Sequence, residues 1–194
     1  MLTLTEIHNL ETGVFFNKDH LIGKGVGGSV YAINDDYVVK KISGLQNWEI
    51  YNKSFKSEID TTILLSHHGI APQVIYHSSP KDKFNYFVME RMNYTLYYML
   101  QNRIFLKKHL DKLSKILDKL NNTEYRHEDL HLNNIMWSNK LDDFRIIDWG
   151  VFYKTKNSQK NRQSPKLLKK IDYWMNNTFK IFRCCGIKIC RVKL

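Results

Sequence analysis

Beyond residue 150 this chain has almost no acid: Asp172 is the single carboxylate side chain in the last 44 residues, against 12 Lys and Arg. Residues 1–150 carry 18 of each sign, so the whole formal charge of +11 belongs to the C-terminal end. Cysteine is equally scarce. Its three copies all fall within Cys184–Cys190, where they cannot staple a fold, and an odd cluster of this kind suits a reducing compartment. No apolar run approaches the ~18 uncharged residues that a membrane span needs. The opening Met1–His8 has neither the basic nor the apolar stretch of a secretory signal. The expected location is therefore cytoplasmic, in a host cell if the Asn-, Lys- and Ile-rich composition reflects a viral, AT-rich genome. Internal repeats and long linkers are also missing.

What is present is enough for a core. Hydrophobic residues make up 43% of the chain and aromatics 13%, richer than a disordered polymer. A length of 194 residues fits one compact unit or two small lobes sharing a cleft. Residues 14–42 read as short strands, with a glycine cluster after Leu21-Ile22, a turn at Asn34-Asp35-Asp36 and a β-branched run from Tyr37 to Ile42. Residues 49–68 read as a helix with Ile59, Ile63, Leu64 and Leu65 on its apolar face. Strands are expected at 73–77 and 85–89. A longer helix follows, marked by Leu106, Leu110, Leu113, Leu117 and Leu120. Two strand-like pieces, 135–137 and 144–147, flank an Asn/Asp/Lys turn. Ser164-Pro165 would start a last helix. Strand-rich first half and helix-rich second half predict an α+β, bilobal chain. Its strand-rich lobe would span 1–90 and its reduced helical lobe 91–194, with a hinge near 90–93.

Gly23, Gly25, Gly28 and Val30 form Gly-x-Gly-x-x-Gly-x-Val. The same spacing opens the helix of a dinucleotide-binding fold. Here β-type residues follow it, which favours a flap between two strands whose N–H groups approach phosphates. A flexible hairpin is the plainer alternative. On the next strand, period two puts Val38 and Lys40 on one face and Lys41 on the other. Glu58, on the helix, could pair with Lys40, although a helical Glu is ordinarily a surface residue. The sharper signal is His127-Glu-Asp129-Leu-His131-Leu-Asn-Asn134, followed by Asp148-Trp149-Gly150. A carboxylate can orient and deprotonate a hydroxyl, and an Asn oxygen with a second carboxylate supplies hard ligands to Mg²⁺. A zinc pair of His127 and His131 would lack its other ligands.

Taken in this order and spacing, the motifs resemble the protein-kinase superfamily over residues 20–175. The resemblance implies ATP and Mg²⁺ as cofactors. It implies Gly23, Gly25 and Gly28 in the glycine-rich loop, Lys40 on the α/β-phosphates and Glu58 as its partner. Met89 would guard the back of the adenine pocket, with Glu90, Arg91 and Met92 as hinge. Ile22, Val30, Val38, Met136 and Ile147 would sandwich the base. Asp129 would be the catalytic aspartate, with His131 beside it, and Asn134 and Asp148 would bind the metal.

The departures are specific. Glu128 replaces the arginine that usually pairs with a phosphorylated activation loop, so activity should not depend on phosphorylating residues 151–164. His131 and the run H-x-D-L-H are similar to aminoglycoside- and choline-type kinases. No A-P-E follows Gly150, and 170–174 resembles the Asp-x-Trp start of the large lobe's central helix. In its reduced size the chain resembles the small kinase of the tRNA threonylcarbamoyl-adenosine (KEOPS) complex. The expected function is ATP-dependent phosphoryl transfer to Ser or Thr of a protein. A small-molecule kinase and a nucleotide-binding regulatory pseudokinase are the alternatives. The basic end, with Lys180, Arg183, Lys188, Arg191 and Lys193 around Phe179, Phe182, Cys184 and Cys185, is a packed helix in its plainest reading. RNA or an acidic protein is the expected partner in the sharper one, and membrane anchoring is a third reading.

Overall fold

A computed structural model describes residues 1–25, 27–42, 48–79 and 83–154 together with Leu167, Lys169 and Ile171; of 48–55 and Tyr153 only the backbone is described. Strands β1 (Leu21–Gly25), β2 (Gly28–Ala32), β3 (Tyr37–Ile42), β4 (Val74–His77) and β5 (Tyr86–Glu90) form one antiparallel sheet in the order β1-β2-β3-β5-β4. The stretch 14–20, read from sequence as part of the strand region, is turn and bend instead, and pairing starts at Leu21.

The period-two alternation of β3 divides this sheet into two buried faces. Val38 packs with Phe87, Met89 and Ile59 of helix α2 (Trp48–His67). Val39 points the other way, into Leu10, Phe15, Tyr86 and Val88. Leu10 belongs to a helix that the sequence reading did not anticipate, α1 (Leu4–Thr12). Its ends are well specified: Thr3 and Glu6 form a capping box, and Gly13, at φ 83°, closes the last turn. Its periodicity is poor because Leu4 is exposed and Leu10 alone is fully buried. On α2 the buried face carries Glu58, Ile59, Thr61, Thr62 and Leu65, while Leu64, expected on it, is 39% exposed.

The second half contains β6 (Tyr94–Thr95), α3 (Leu96–Gln101), α4 (Lys107–Asn121), β7 (Tyr125–His127), β8 (Ile135–Ser138), β9 (Asp143–Ile146) and β10 (Phe152–Lys154). These strands make two small antiparallel sheets, β6-β8-β9 and β10-β7. Helix α4 buries Leu113, Ile116, Leu117 and Leu120 against the β8–β9 hairpin, including Phe144 and Ile146. Leu106 is not on that face. It is the N-cap residue and 55% exposed, and Leu110 is half-buried. His109 takes the vacated place, accepting the Leu106 N–H at 2.9 Å through Nδ1 and meeting the Trp137 ring edge-on at 4.5 Å.

The same core includes Leu65, Ile70 and Ala71 from the first half, and the Ile146 N–H donates to the Ile70 carbonyl at 2.7 Å. Leu167 and Ile171 are helical and buried in it, with Lys169 exposed. The remainder of that expected helix, the Asp172-x-Trp174 run, the three cysteines and the basic end lie outside the described residues. The architecture is the α+β arrangement expected, an antiparallel sheet backed by helices followed by a reduced helical part.

If α1 is an integral cover of the sheet, Leu10→Ala should cost about 3 kcal/mol, as for other fully buried leucines. Urea unfolding of the full chain measures it; a change below about 1 kcal/mol would mean that the helix is dispensable.

Candidate active site

Lys40 sits mid-strand on the inner sheet face, 7% exposed. Its ammonium donates to Glu58 Oε1 at 2.5 Å and to Asp148 Oδ1 at 2.6 Å. Burial alone would pull Lys40 below the ordinary lysine value, but the Glu58 and Asp148 carboxylates outweigh it and hold the pKa above 10.5. Burial raises the Glu58 carboxyl, and the attraction of Lys40 offsets only part of that rise. The Lys40 ammonium therefore stays charged between one enclosed carboxylate and one open one, since the Asp148 side chain is 46% exposed.

Asp148 reaches Lys40 from a left-handed backbone, φ 65°, a conformation Asp tolerates better than most residues. Trp149 anchors it. The indole is fully buried, donates Nε1–H to the Ile146 carbonyl at 2.9 Å and packs edge-on against the His127 ring at 4.7 Å. A side chain at position 150 would crowd Glu58, because a Cβ on Gly150 would lie 3.3 Å from Oε2. The motif thus turns its acid into the cleft and its ring into the core.

His127 is a hub, with both ring nitrogens engaged. Nε2–H donates to the Ile147 carbonyl at 2.9 Å, and Nδ1 accepts the Asp129 N–H at 3.1 Å. Burial lowers its pKa below 6.5, outweighing the Ile147 carbonyl and the Asp148 and Asp129 charges. A neutral, fully bonded imidazole has no lone pair left for zinc. The Asp129 side chain is 66% exposed, with His131 Nε2 at 3.4 Å. His131 Nδ1 accepts the Asn133 N–H at 3.2 Å, so its proton sits on Nε2, toward that carboxylate. Asn134 donates Nδ2–H to the Asp129 carbonyl at 2.9 Å. Its Oδ1 accepts nothing from the described residues. Ile147 N–H donates to the Asn134 carbonyl at 2.9 Å, tying this loop to the strand that ends at Asp148.

The β1–β2 turn lies over this cluster. A Cβ built on Gly27 would stand 3.9 Å from both Lys40 Nζ and Asp148 Oδ1. Gly27 was not among the expected loop glycines; its only sequence signal was adjacency to Gly28. A Cβ on Gly25 meets nothing within 4 Å. Gly28 is required for a local reason. At φ 150° a Cβ there would be 2.3 Å from the Lys41 carbonyl, so the sheet itself demands glycine. Of the expected base-lining residues, Val30, Val38 and Met89 share one cluster. Ile22 is 53% exposed, and Met136 and Ile147 are half-buried outside the three core clusters. At the hinge, Glu90 N–H donates to the Gln73 carbonyl at 3.0 Å and Arg91 N–H to the Asp36 carbonyl at 2.8 Å. The Met92 N–H and carbonyl have no partner among the described residues.

These groups suit a nucleotide with a hard cation. The Met92 peptide offers an edge to a planar base, and Lys40 and the glycine turn offer positive groups to phosphates. No three His, Cys, Asp or Glu side chains among the described residues converge as a metal cluster. A cation would rest on Asn134 and Asp148 with phosphate oxygens, the sparse protein ligation typical of Mg²⁺.

Residues 16–174 match the model of the protein kinase domain. The chain belongs to this family of phosphotransferase domains, whose members generally use ATP and Mg²⁺. No curated protein matches it. Among the described residues no helix is long and apolar enough to cross a membrane.

His127 gives the site a pH signature. Its folded pKa is lowered, so below 6.5 the unfolded chain binds the proton more readily. Stability should be fully present above that value and fall as pH drops toward the folded pKa. His109, also lowered by burial, adds to the slope. Denaturant midpoints of wild type and His127→Gln between neutral and mildly acid pH check this. The variant should show the shallower slope, and an unchanged slope would sink the assignment.

Proposed function

We infer that the chain transfers the γ-phosphoryl group of ATP to the hydroxyl of Ser or Thr in a protein. The observation that carries this reading is the pairing of buried Lys40 with both Glu58 and Asp148, with an open Asp129 linked through His127 to the residue before Asp148. When bound, MgATP would supply the activated phosphoryl group and the cation that neutralises its charge. Lys40, kept charged by its two carboxylates, would hold phosphate oxygens. Asn134 Oδ1 and Asp148 would hold the cation, and the N–H groups of the Gly25–Gly28 turn would cover the phosphates. Asp129 would accept a hydrogen bond from the acceptor hydroxyl and take its proton, with His131 Nε2–H fixing the other side of the carboxylate.

Openness at Asp129 supports a macromolecular acceptor. The Asp129 and His131 side chains are 66% and 47% exposed, which suits a segment of another chain laid across the site. His131 also favours a second reading, a small-molecule kinase of the aminoglycoside or choline type. Retention of Lys40, Asp129, Asn134 and Asp148 in working geometry argues against a pseudokinase. A partner RNA or acidic protein for the basic end and a cytoplasmic location remain part of the proposal, resting on charge and composition alone.

Labelled ATP and Mg²⁺ with a generic protein acceptor, an aminoglycoside and choline as parallel substrates test the assignment. Asp129→Ala should keep nucleotide affinity and lose at least about a hundredfold in transfer. Asp148→Ala should lose Mg²⁺-dependent transfer altogether. Wild-type turnover in the Asp129 variant would leave only nucleotide binding, and label on a small acceptor alone would select the second reading.

A further inference from the structure

The ladder between β3 and β5 ends at the pair Tyr37↔Glu90, one residue before Arg91. From there the turn between β2 and β3 sets the direction of the chain. Arg91 N–H donates to the Asp36 carbonyl and its Nη1 to the Asn34 carbonyl, each at 2.8 Å, with Asp35 Oδ1 3.8 Å from the same Nη1. Two carbonyls of one turn thus hold both the backbone and the side chain of Arg91. The next residue is Met92, whose N–H and carbonyl have no partner among the described residues.

Asn34 keeps those two carbonyls in place. Its Oδ1 accepts the Asp36 and Tyr37 N–H groups at 2.9 Å each, an Asx-type turn that closes residues 34–37. With the oxygen so engaged, the amide NH₂ points the other way and donates to Glu6 Oε1 of α1 at 2.7 Å. Glu6 is fixed in its turn, since its Oε2 accepts the Thr3 N–H at 2.7 Å. The Thr3 N–H, more than the Asn34 amide, keeps the Glu6 carboxyl below its ordinary pKa and therefore charged at neutral pH. The Glu6–Asn34 bond is thus charge-assisted, and it ties the N-terminal helix to the turn that holds the hinge.

We propose that Asn34 is a positioning residue for nucleotide binding, and that helix α1 acts through it on the affinity of the cleft for an adenine base. The route runs from Glu6 to the Asn34 amide, through the Asn34 and Asp36 carbonyls to Arg91, and so to the Met92 peptide. The inference rests on the reading of the cleft as a nucleotide site, and adds that the edge offered to the base is set from outside the cleft. Phosphates would be met by Lys40 and the glycine turn, which this route does not touch.

Asn34→Asp isolates the link, because it retains one oxygen for the two N–H groups and sets a second against Glu6 Oε1. By calorimetry of the full chain, ATP with Mg²⁺ should bind about tenfold more weakly, corresponding to one charge-assisted hydrogen bond. Tripolyphosphate with Mg²⁺ should bind as in wild type. Adding Glu6→Gln to Asn34→Asp reverses donor and acceptor and keeps a capping-box residue, so ATP should return to within about twofold of wild type. In nucleotide-free protein the Arg91 amide should exchange with solvent about tenfold faster in Asn34→Asp, and slow again in the pair. Arg91→Leu removes the guanidinium from a side chain 35% exposed and keeps the N–H bond to Asp36. It should weaken ATP about threefold and decides the matter if Asn34→Asp does not fold. Equal losses for ATP and tripolyphosphate, unchanged ATP affinity, or no recovery in the pair overturns the proposal and leaves the nucleotide site standing. A wild-type chain that binds no ATP removes the nucleotide reading itself, and this inference with it.

Discussion

One buried ammonium holds the two halves of the molecule in a working relation. Lys40 comes from the sheet, Glu58 from the helix packed on it and Asp148 from the loop after β9, and all three meet at Nζ. Lys40 and Glu58 are 7% and 5% exposed, and removing one partner of so enclosed a pair costs about 3–5 kcal/mol in comparable proteins. The arrangement is weak evidence for stability, because an apolar replacement of the whole set could pack as well. Its value is positional. Helix α2 can approach only so far as Glu58 reaches Lys40, and the Asp148 carboxylate faces the cleft because the same ammonium draws it there.

A second constraint acts through neutral hydrogen bonds. His127 contacts both acids indirectly, through the Asp129 N–H on one side and the Ile147 carbonyl, next to Asp148, on the other. Trp149 closes the arrangement from below by packing on the same ring. Burial keeps this histidine neutral, and only the neutral form can donate from one nitrogen while accepting at the other. Position 127 thus acts on geometry, whereas His131 is exposed beside the Asp129 carboxylate. Two histidines four residues apart have different tasks because one is enclosed and the other is not.

Long-range bonds also brace the hinge side. The turn at Asn34–Tyr37 receives Glu6 from α1, Arg91 from the hinge and Lys140 from the β8–β9 turn. The Lys140–Asp36 contact, 2.7 Å long, lies in water, where such pairs are screened and contribute little. The hinge bonds to the Asn34 and Asp36 carbonyls are shielded better and orient Arg91 away from the cleft. Among the described residues, that leaves the Met92 peptide without a partner.

The family was legible from residues 23–148 because its motifs depend on residue type at fixed offsets. Gly-rich spacing, a lysine in strand period and an Asp–Asn–Asp series require no knowledge of packing. Strand β3 was legible to its ends for a similar reason: alternation and turn residues are local. Other features were not local. Helix α1 escaped because only Leu10 among its residues is fully buried, and the partner surface that makes it a helix comes from residues 39, 86 and 88. Leu64 and Leu106 satisfied a helical period but face solvent, since period alone does not fix where the face is centred. Gly28 fits the motif for one reason and is required by the sheet for another. The chain order and residue types determined by themselves that the chain belongs to the protein kinase domain family. Tertiary structure alone decided that Lys40 bonds two carboxylates at once and that His127 is a buried neutral hub, because burial and distance belong to the folded chain and not to its sequence spacing.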